Sequence, residues 1–146
     1  PPGDNIIVQA AQRANLQTCM PQLKSVSDFL IAGAPHGAFV TQHARQPDRQ
    51  LFSAIIERVD QMGSHVITLN LSPAPMGGCA IEYSQVTSWS EPCQKVAGGA
   101  FAGYKVKGGL VKNVSVLERE PLLHTFLMPT GTGCVSVKRE VLYFSS

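Results

Sequence analysis

Among the 146 residues of this chain, Cys93 and His124 are the pair best suited to chemistry. Cys93 falls in the first turn of a helix expected over residues 90–102, where unpaired backbone amides and the helix dipole lower a thiol pKa. His124 falls on a later strand that can pack beside that helix and serve as the base. Together they describe a thiolate nucleophile with a proton acceptor. The same chemistry needs a third residue to orient the histidine and a donor for the oxyanion, and neither can be assigned. It also needs a free thiol.

That layout is the one papain-like thiol hydrolases use, and it stands as the alternative reading. The leading one follows from the cysteines as a set. Cys19, Cys79, Cys93 and Cys134 are spread along the chain with no Cys-x-x-Cys spacing, and only 15% of the residues are charged, which points to disulfides formed in an oxidising compartment. Zinc sites in small domains present ligand pairs about two to four residues apart, and these cysteines do not. Cys93 is then a half-cystine. A straight strand from Cys79 to Ser88 rises about 3.3 Å per residue, which puts Cys79 and Cys93 at opposite ends of it, and a disulfide needs Cα atoms within about 7 Å. With the last strand parallel to the one that begins at Cys79, the expected bonds are Cys79 to Cys134 and Cys19 to Cys93.

Other polar constellations are weaker. His36 with His43 is a pair that could hold a metal, but two surface histidines bordering a short strand explain it as well, and no metal or other cofactor is expected. None of the four histidines, His36, His43, His65 and His124, has a carboxylate at a telling distance. Glu82, Glu91, Glu118, Glu120 and Glu140 fall mostly on solvent-facing positions, so paired acids for glycosidase-type work are hard to assemble. PTGTGC precedes a strand and not a helix, which makes it a hairpin turn instead of a phosphate cradle. Dinucleotide, P-loop, H-E-x-x-H, G-x-S-x-G and EF-hand patterns are absent. Asn113-Val-Ser115 matches a glycosylation acceptor, a pattern too common to carry weight.

The elements that must position these residues centre on Cys79 to Tyr104. Ile81, Tyr83, Gln85 and Thr87 alternate with their neighbours as a strand over residues 79–88. Ser90 is placed to cap the helix that follows, with Cys93, Val96, Ala97, Ala100 and Phe101 on one stripe. Upstream, Asp4 can cap a first helix that Pro21 interrupts, and Leu23, Val26, Phe29 and Leu30 continue the stripe to Gly33. GAFVTQHA reads as a strand over residues 37–44. Asp48 is expected to cap a helix over residues 48–63 carrying Leu51, Phe52, Ile55, Ile56, Val59 and Met62. Strands follow over residues 65–71, 110–118, from Leu122, and from Cys134 to the end.

That order suggests an α+β fold: a mainly antiparallel sheet covered by helices on one face, with a split βαββαβ core, an N-terminal helical extension and a C-terminal hairpin. A cone-like curved α+β sheet around a pocket is the alternative. One domain over residues 1–146 is expected, with residues 1–34 packed on it as the extension. The net charge of +2 is too small to suggest nucleic acid, and Lys105, Lys107 and Lys112 read as a solvated rim. No apolar run approaches the roughly 18 residues of a membrane span. The start PPGDN is expected to be a mature terminus left after removal of a signal peptide. The function expected is that of a secreted or periplasmic disulfide-containing protein that binds another macromolecule, as an accessory factor, inhibitor or immunity-type partner. Leu142, Tyr143 and Phe144 on the last strand are the expected contact residues if that strand lies at a sheet edge, where a homodimer is one form of contact; the alternative is that they close the core beneath the helices.

Overall fold

The computed structural model describes residues 3–74 and 77–145. Pro1, Pro2, Pro75, Met76 and Ser146 lie outside them, and with them part of the expected mature start and of the SPAPMGG connection. The structure is dominated by an eight-stranded antiparallel sheet, and its three short helices hold 18% of the residues. The elements are α1 (Ile6–Arg13), α2 (Met20–Ile31), β1 (His36–Thr41), β2 (Phe52–Asp60), β3 (Gly63–Pro73), β4 (Cys79–Trp89), α3 (Cys93–Gly98), β5 (Lys105–Gly109), β6 (Ser115–Glu120), β7 (Leu123–Thr130) and β8 (Gly133–Phe144). Strand order is β1, β2, β3, β4, β8, β7, β6, β5. This corrects the helix-covered α+β reading, both the split βαββαβ core and the cone-like alternative, because the helix both required over residues 48–63 is strand β2. The chain forms two compact units, Pro1–Tyr83 with Val141–Ser146, and Ser84–Glu140.

In unit 1 the period of β2 is two, not 3.6. Phe52, Ala54 and Ile56 are buried, while Ile55 and Val59, which a helical stripe would bury, are 51% and 40% exposed. Nine ladder pairs with β3, from Phe52 with Leu71 to Asp60 with Gly63, fix that choice. Ile67, Leu69 and Leu71 of β3 complete the buried side under α1 and α2, with Leu142 and Phe144 packed against the same core. Helix α1 is capped by Asn5 instead of Asp4: its Oδ1 accepts from the amides of Ile7 (2.9 Å) and Val8 (3.0 Å). The Asn5 amide nitrogen donates to Ser27 and Asp28 of α2, both at 2.8 Å, which ties the two helices together. Pro21 does not kink a helix. It occupies the first turn of α2, where its missing N–H has no intrahelical partner to lose.

In unit 2 the core is small: Val96, Phe101, Leu117, Leu127 and Cys134, with Trp89, Cys93, Ala97 and Tyr104 packed on it. Phe101 meets Trp89 and Tyr104 edge to face, at centroid distances of 6.2 and 5.4 Å. Helix α3 is shorter than residues 90–102, with Pro92 and not Ser90 at its cap position, and it gives way to turns at the Gly98-Gly99 pair. Trp89 at the end of β4 donates to Ser136 near the start of β8, 2.8 Å, so β4 and β8 run in opposite directions.

The disulfides are Cys19–Cys79 in unit 1 and Cys93–Cys134 in unit 2, which corrects both expected bonds. Cys79 and Cys93 are not joined, as a straight β4 requires. The error came from one missed strand: β5 precedes β6, so every later strand runs opposite to expectation, and Cys134 arrives beside the end of β4 instead of its start.

Two stability outcomes follow. The Thr125 hydroxyl is fully buried and has no partner among the described residues, so Thr125→Val is expected to raise the unfolding free energy by about 1 kcal/mol; a lower value in denaturant titration counts against it. The 41-residue separation of Cys93 and Cys134 makes that bond worth about 4 kcal/mol by loop closure. A Cys93→Ser, Cys134→Ser double variant should lose amide-exchange protection in residues 84–140 before residues 3–74, and equal loss in both would contradict the assignment of this bond to unit 2.

Candidate functional site

The residues singled out for chemistry are engaged in structure. The Cys93 sulfur is bonded to Cys134, and none of the cysteines is free among the described residues. His124 lies opposite Glu118 in the β6–β7 ladder, with Nε2 2.9 Å from the carboxylate. That contact, with Lys107 3.5 Å from the other oxygen, holds the Glu118 carboxyl below the usual carboxylate range. Buried His65 makes the equivalent contact with Asp60, 2.8 Å, across the β2–β3 turn. His65 and His124 therefore do have carboxylate partners: Glu118 stands directly opposite His124, and Asp60 is the diagonal neighbour of His65 across the hairpin. His36 and His43 flank β1 separately: His36 Nδ1 sits 2.8 Å from the Ala34 carbonyl, and His43 Nδ1 accepts from the amides of Arg45 and Gln46. Among the described residues no group of histidine, cysteine and carboxylate could hold a metal ion.

The expected contact residues lie at the end of β8. β8 lies between β4 and β7 in the strand order, but its ladder with β7 ends at the pair Leu123 with Glu140, so Leu142, Tyr143 and Phe144 lie beyond the last β7 partner. Leu142 and Phe144 are half-buried on the unit 1 core, and Tyr143 is 71% exposed.

What the structure leaves open is one face of unit 1. Strand alternation sends Phe52, Ala54, Ile56, Ile67, Leu69 and Leu71 under the helices and the intervening residues to the other side. Register aligns those residues in rows: Thr41, Ser53 and Asn70, then Phe39, Ile55 and Thr68, then Gly37, Glu57 and Val66, with Val59 opposite Ser64 beyond them. The first row is polar and internally bonded, Ser53 donating to Asn70 (2.7 Å) and Asn70 to Glu82 (3.0 Å). The next rows carry Phe39, Ile55, Val66 and Val59, 72%, 51%, 47% and 40% exposed. Phe39 faces Ile55 directly, and Val66 is the diagonal neighbour of Ile55. Glu57, accepting from Ser64 at 2.6 Å, supplies the charge at this patch. An apolar surface with a polar border is suited to recognition and has no reacting group. Sequence reading missed it because Ile55 and Val59 were assigned to the buried stripe of a helix.

The loop between β1 and β2 is fastened by Asp48, which caps no helix of its own. Its Oδ1 accepts from the amides of Gln17 (2.8 Å) and Thr18 (2.7 Å) ahead of α2, and those two bonds hold its carboxyl below the usual range. The basic cluster sits on the β5–β6 hairpin, where residues 105–113 are all exposed and Lys107 pairs with Glu118.

Asp48→Ala should cost about 1 kcal/mol at neutral pH, as loss of a cap does. A carboxyl depressed in the folded state contributes fully above its unfolded pKa, near 3.8, and loses that contribution as pH falls through the lower folded value. The difference between wild type and variant should therefore shrink in acid below that range, and a constant difference in denaturant titrations would be the contrary result. The chain matches no protein-family model, no curated protein and no solved structure.

Proposed function

We propose that this chain is an extracytoplasmic, disulfide-stabilised protein, secreted or periplasmic, that works by holding another protein against the bare face of β1, β2 and β3. The observation that carries this is the contiguous exposure of Phe39, Ile55, Val59 and Val66 on the side of the sheet opposite the helices. Two disulfides are consistent with a secreted protein. An accessory factor, inhibitor or immunity-type partner needs a fixed, dry surface and no reactive group, and this face offers that. The thiol hydrolase reading gains nothing from the geometry, since its nucleophile is bonded to Cys134 and its base to Glu118.

The test uses residues in the middle of the face. A photo-crosslinking side chain at Ile55 should capture a discrete protein in extracts of the native host, and the same group at exposed Gln12 on the far side of α1 should not. Val66→Lys should reduce that capture about tenfold, equivalent to about 1.4 kcal/mol, with unchanged thermal unfolding because Val66 is already exposed. Equal capture from both positions, or no effect of Val66→Lys, would refute the assignment of the face.

A further inference from the structure

Strand β1 ends the strand order, so among the described residues no strand lies beyond it. One hydrogen bond shows which of its backbone groups face outward: the Val59 amide donates to the Pro35 carbonyl at 2.9 Å. Register pairs His36 with Arg58, hence position 35 with 59, and hydrogen-bonded pairs recur at every second residue of an antiparallel ladder. Gly37, Phe39 and Thr41 therefore turn their backbone groups towards β2. His36, Ala38 and Val40 turn theirs to the open side.

Natural sheets guard such an edge with lysine, proline, a bulge or extreme shortness. The opposite end of the strand order is guarded in this way: β5 carries Lys105 and Lys107, and its ladder with β6 is broken by a bulge between Val106 and Gly108. β1 reads His-Gly-Ala-Phe-Val-Thr and has none of these devices. A second copy of the same strand brings no charge to repel.

We infer that two copies of this chain associate through β1, antiparallel about a two-fold axis at Ala38. Symmetry selects that register. Outward residues must meet outward residues, and centring on Ala38 pairs Ala38 with its own copy and His36 with Val40 on either side, so that every outward residue of both strands exchanges N–H···O bonds. Centring on Gly37 or Phe39 leaves one outward residue of each strand past the end of the other. On the bare face the Ala38 register sets Phe39 of each copy opposite Gly37 of the other, in the closer, non-hydrogen-bonded kind of pair. Phe39 is 72% exposed, and a Cβ built on Gly37 would meet no atom within 4 Å. The ring has a vacant place to lie, and an aromatic over an edge glycine pins strand register. The pairing joins the bare faces of the two copies edge to edge, which makes the surface proposed above bivalent without depending on what that surface binds.

Light scattering after size exclusion should give twice the 15.7 kDa chain mass for the oxidised protein, with dissociation on dilution. Ala38→Pro removes an outward amide that β2 does not use and should leave a folded monomer. Ala38→Lys, which puts like charges on the axis at an exposed position, should do the same if the proline variant does not fold. Ala38→Cys should cross-link to itself under mild oxidation, since Cα atoms in a hydrogen-bonded pair stand about 5.5 Å apart. Phe39→Cys should not. A wild type monomeric at every concentration overturns the inference, as does cross-linking through Phe39→Cys and not Ala38→Cys, or an undiminished dimer in the Ala38 variants.

Discussion

Two helices, eight and twelve residues long, cover one side of three strands in unit 1, and most of that unit follows from this restriction. Burying a large aliphatic or aromatic side chain is worth about 1.5–3 kcal/mol. Phe52, Ile56, Ile67, Leu69 and Leu71 are each completely buried, so the covered side binds the strands to one register. A slip of one residue would turn Glu57 inwards and Ile56 out. Because register is decided beneath the helices, the residues on the other side are free of that task. β-propensity accounts for branched residues there, since Ile55, Val59 and Val66 fit a pleated strand. It accounts less well for their grouping with Phe39, when Thr68 in the same row shows that a polar residue is tolerated there.

Unit 2 solves the same problem with fewer apolar atoms. Five buried residues form its core, one of them a half-cystine, so the disulfide is part of the packing as well as a constraint on the unfolded chain. The edge-to-face contacts of Phe101 with Trp89 and Tyr104 fill what a longer helix would otherwise cover. The indole bond to Ser136 satisfies two polar groups that the core would otherwise leave without partners.

Much of the strand content was legible. The alternation in residues 65–71, 79–88 and 134–144 and the turn at PTGTG correspond to β3, β4, β8 and the β7–β8 hairpin, and the cysteines were read as disulfide-bonded. Residues 48–63 were not, because Leu51, Phe52, Ile55, Ile56, Val59 and Met62 satisfy a helical period while Phe52, Ala54 and Ile56 satisfy a strand period, and only pairing with β3 decides between them. Local pattern carries no information about a partner strand. β5 escaped notice for a different reason: KVKGG has no buried residue and two glycines, so it is a strand by pairing with β6 alone. That omission reversed the direction of each later strand and so misplaced Cys134. The candidate surface was illegible for the first of these reasons, since the helical reading of residues 48–63 had buried Ile55 and Val59.

Three carboxylates fasten the backbone of the described residues. His65 with Asp60 and His124 with Glu118 each clamp the two strands of a hairpin, and Asp48 fastens a loop to the backbone ahead of α2. The carboxylates in these contacts are held below their ordinary range by hydrogen bonds that favour the charged form, which makes them good anchors. A general base for chemistry near neutrality needs the reverse shift, upward towards the working pH. These carboxylates and the bonded sulfurs of both cysteine pairs hold strands and loops in place. A rigid sheet with a set register is what an apolar recognition face requires, because surface ordered in advance loses little entropy when a partner settles on it.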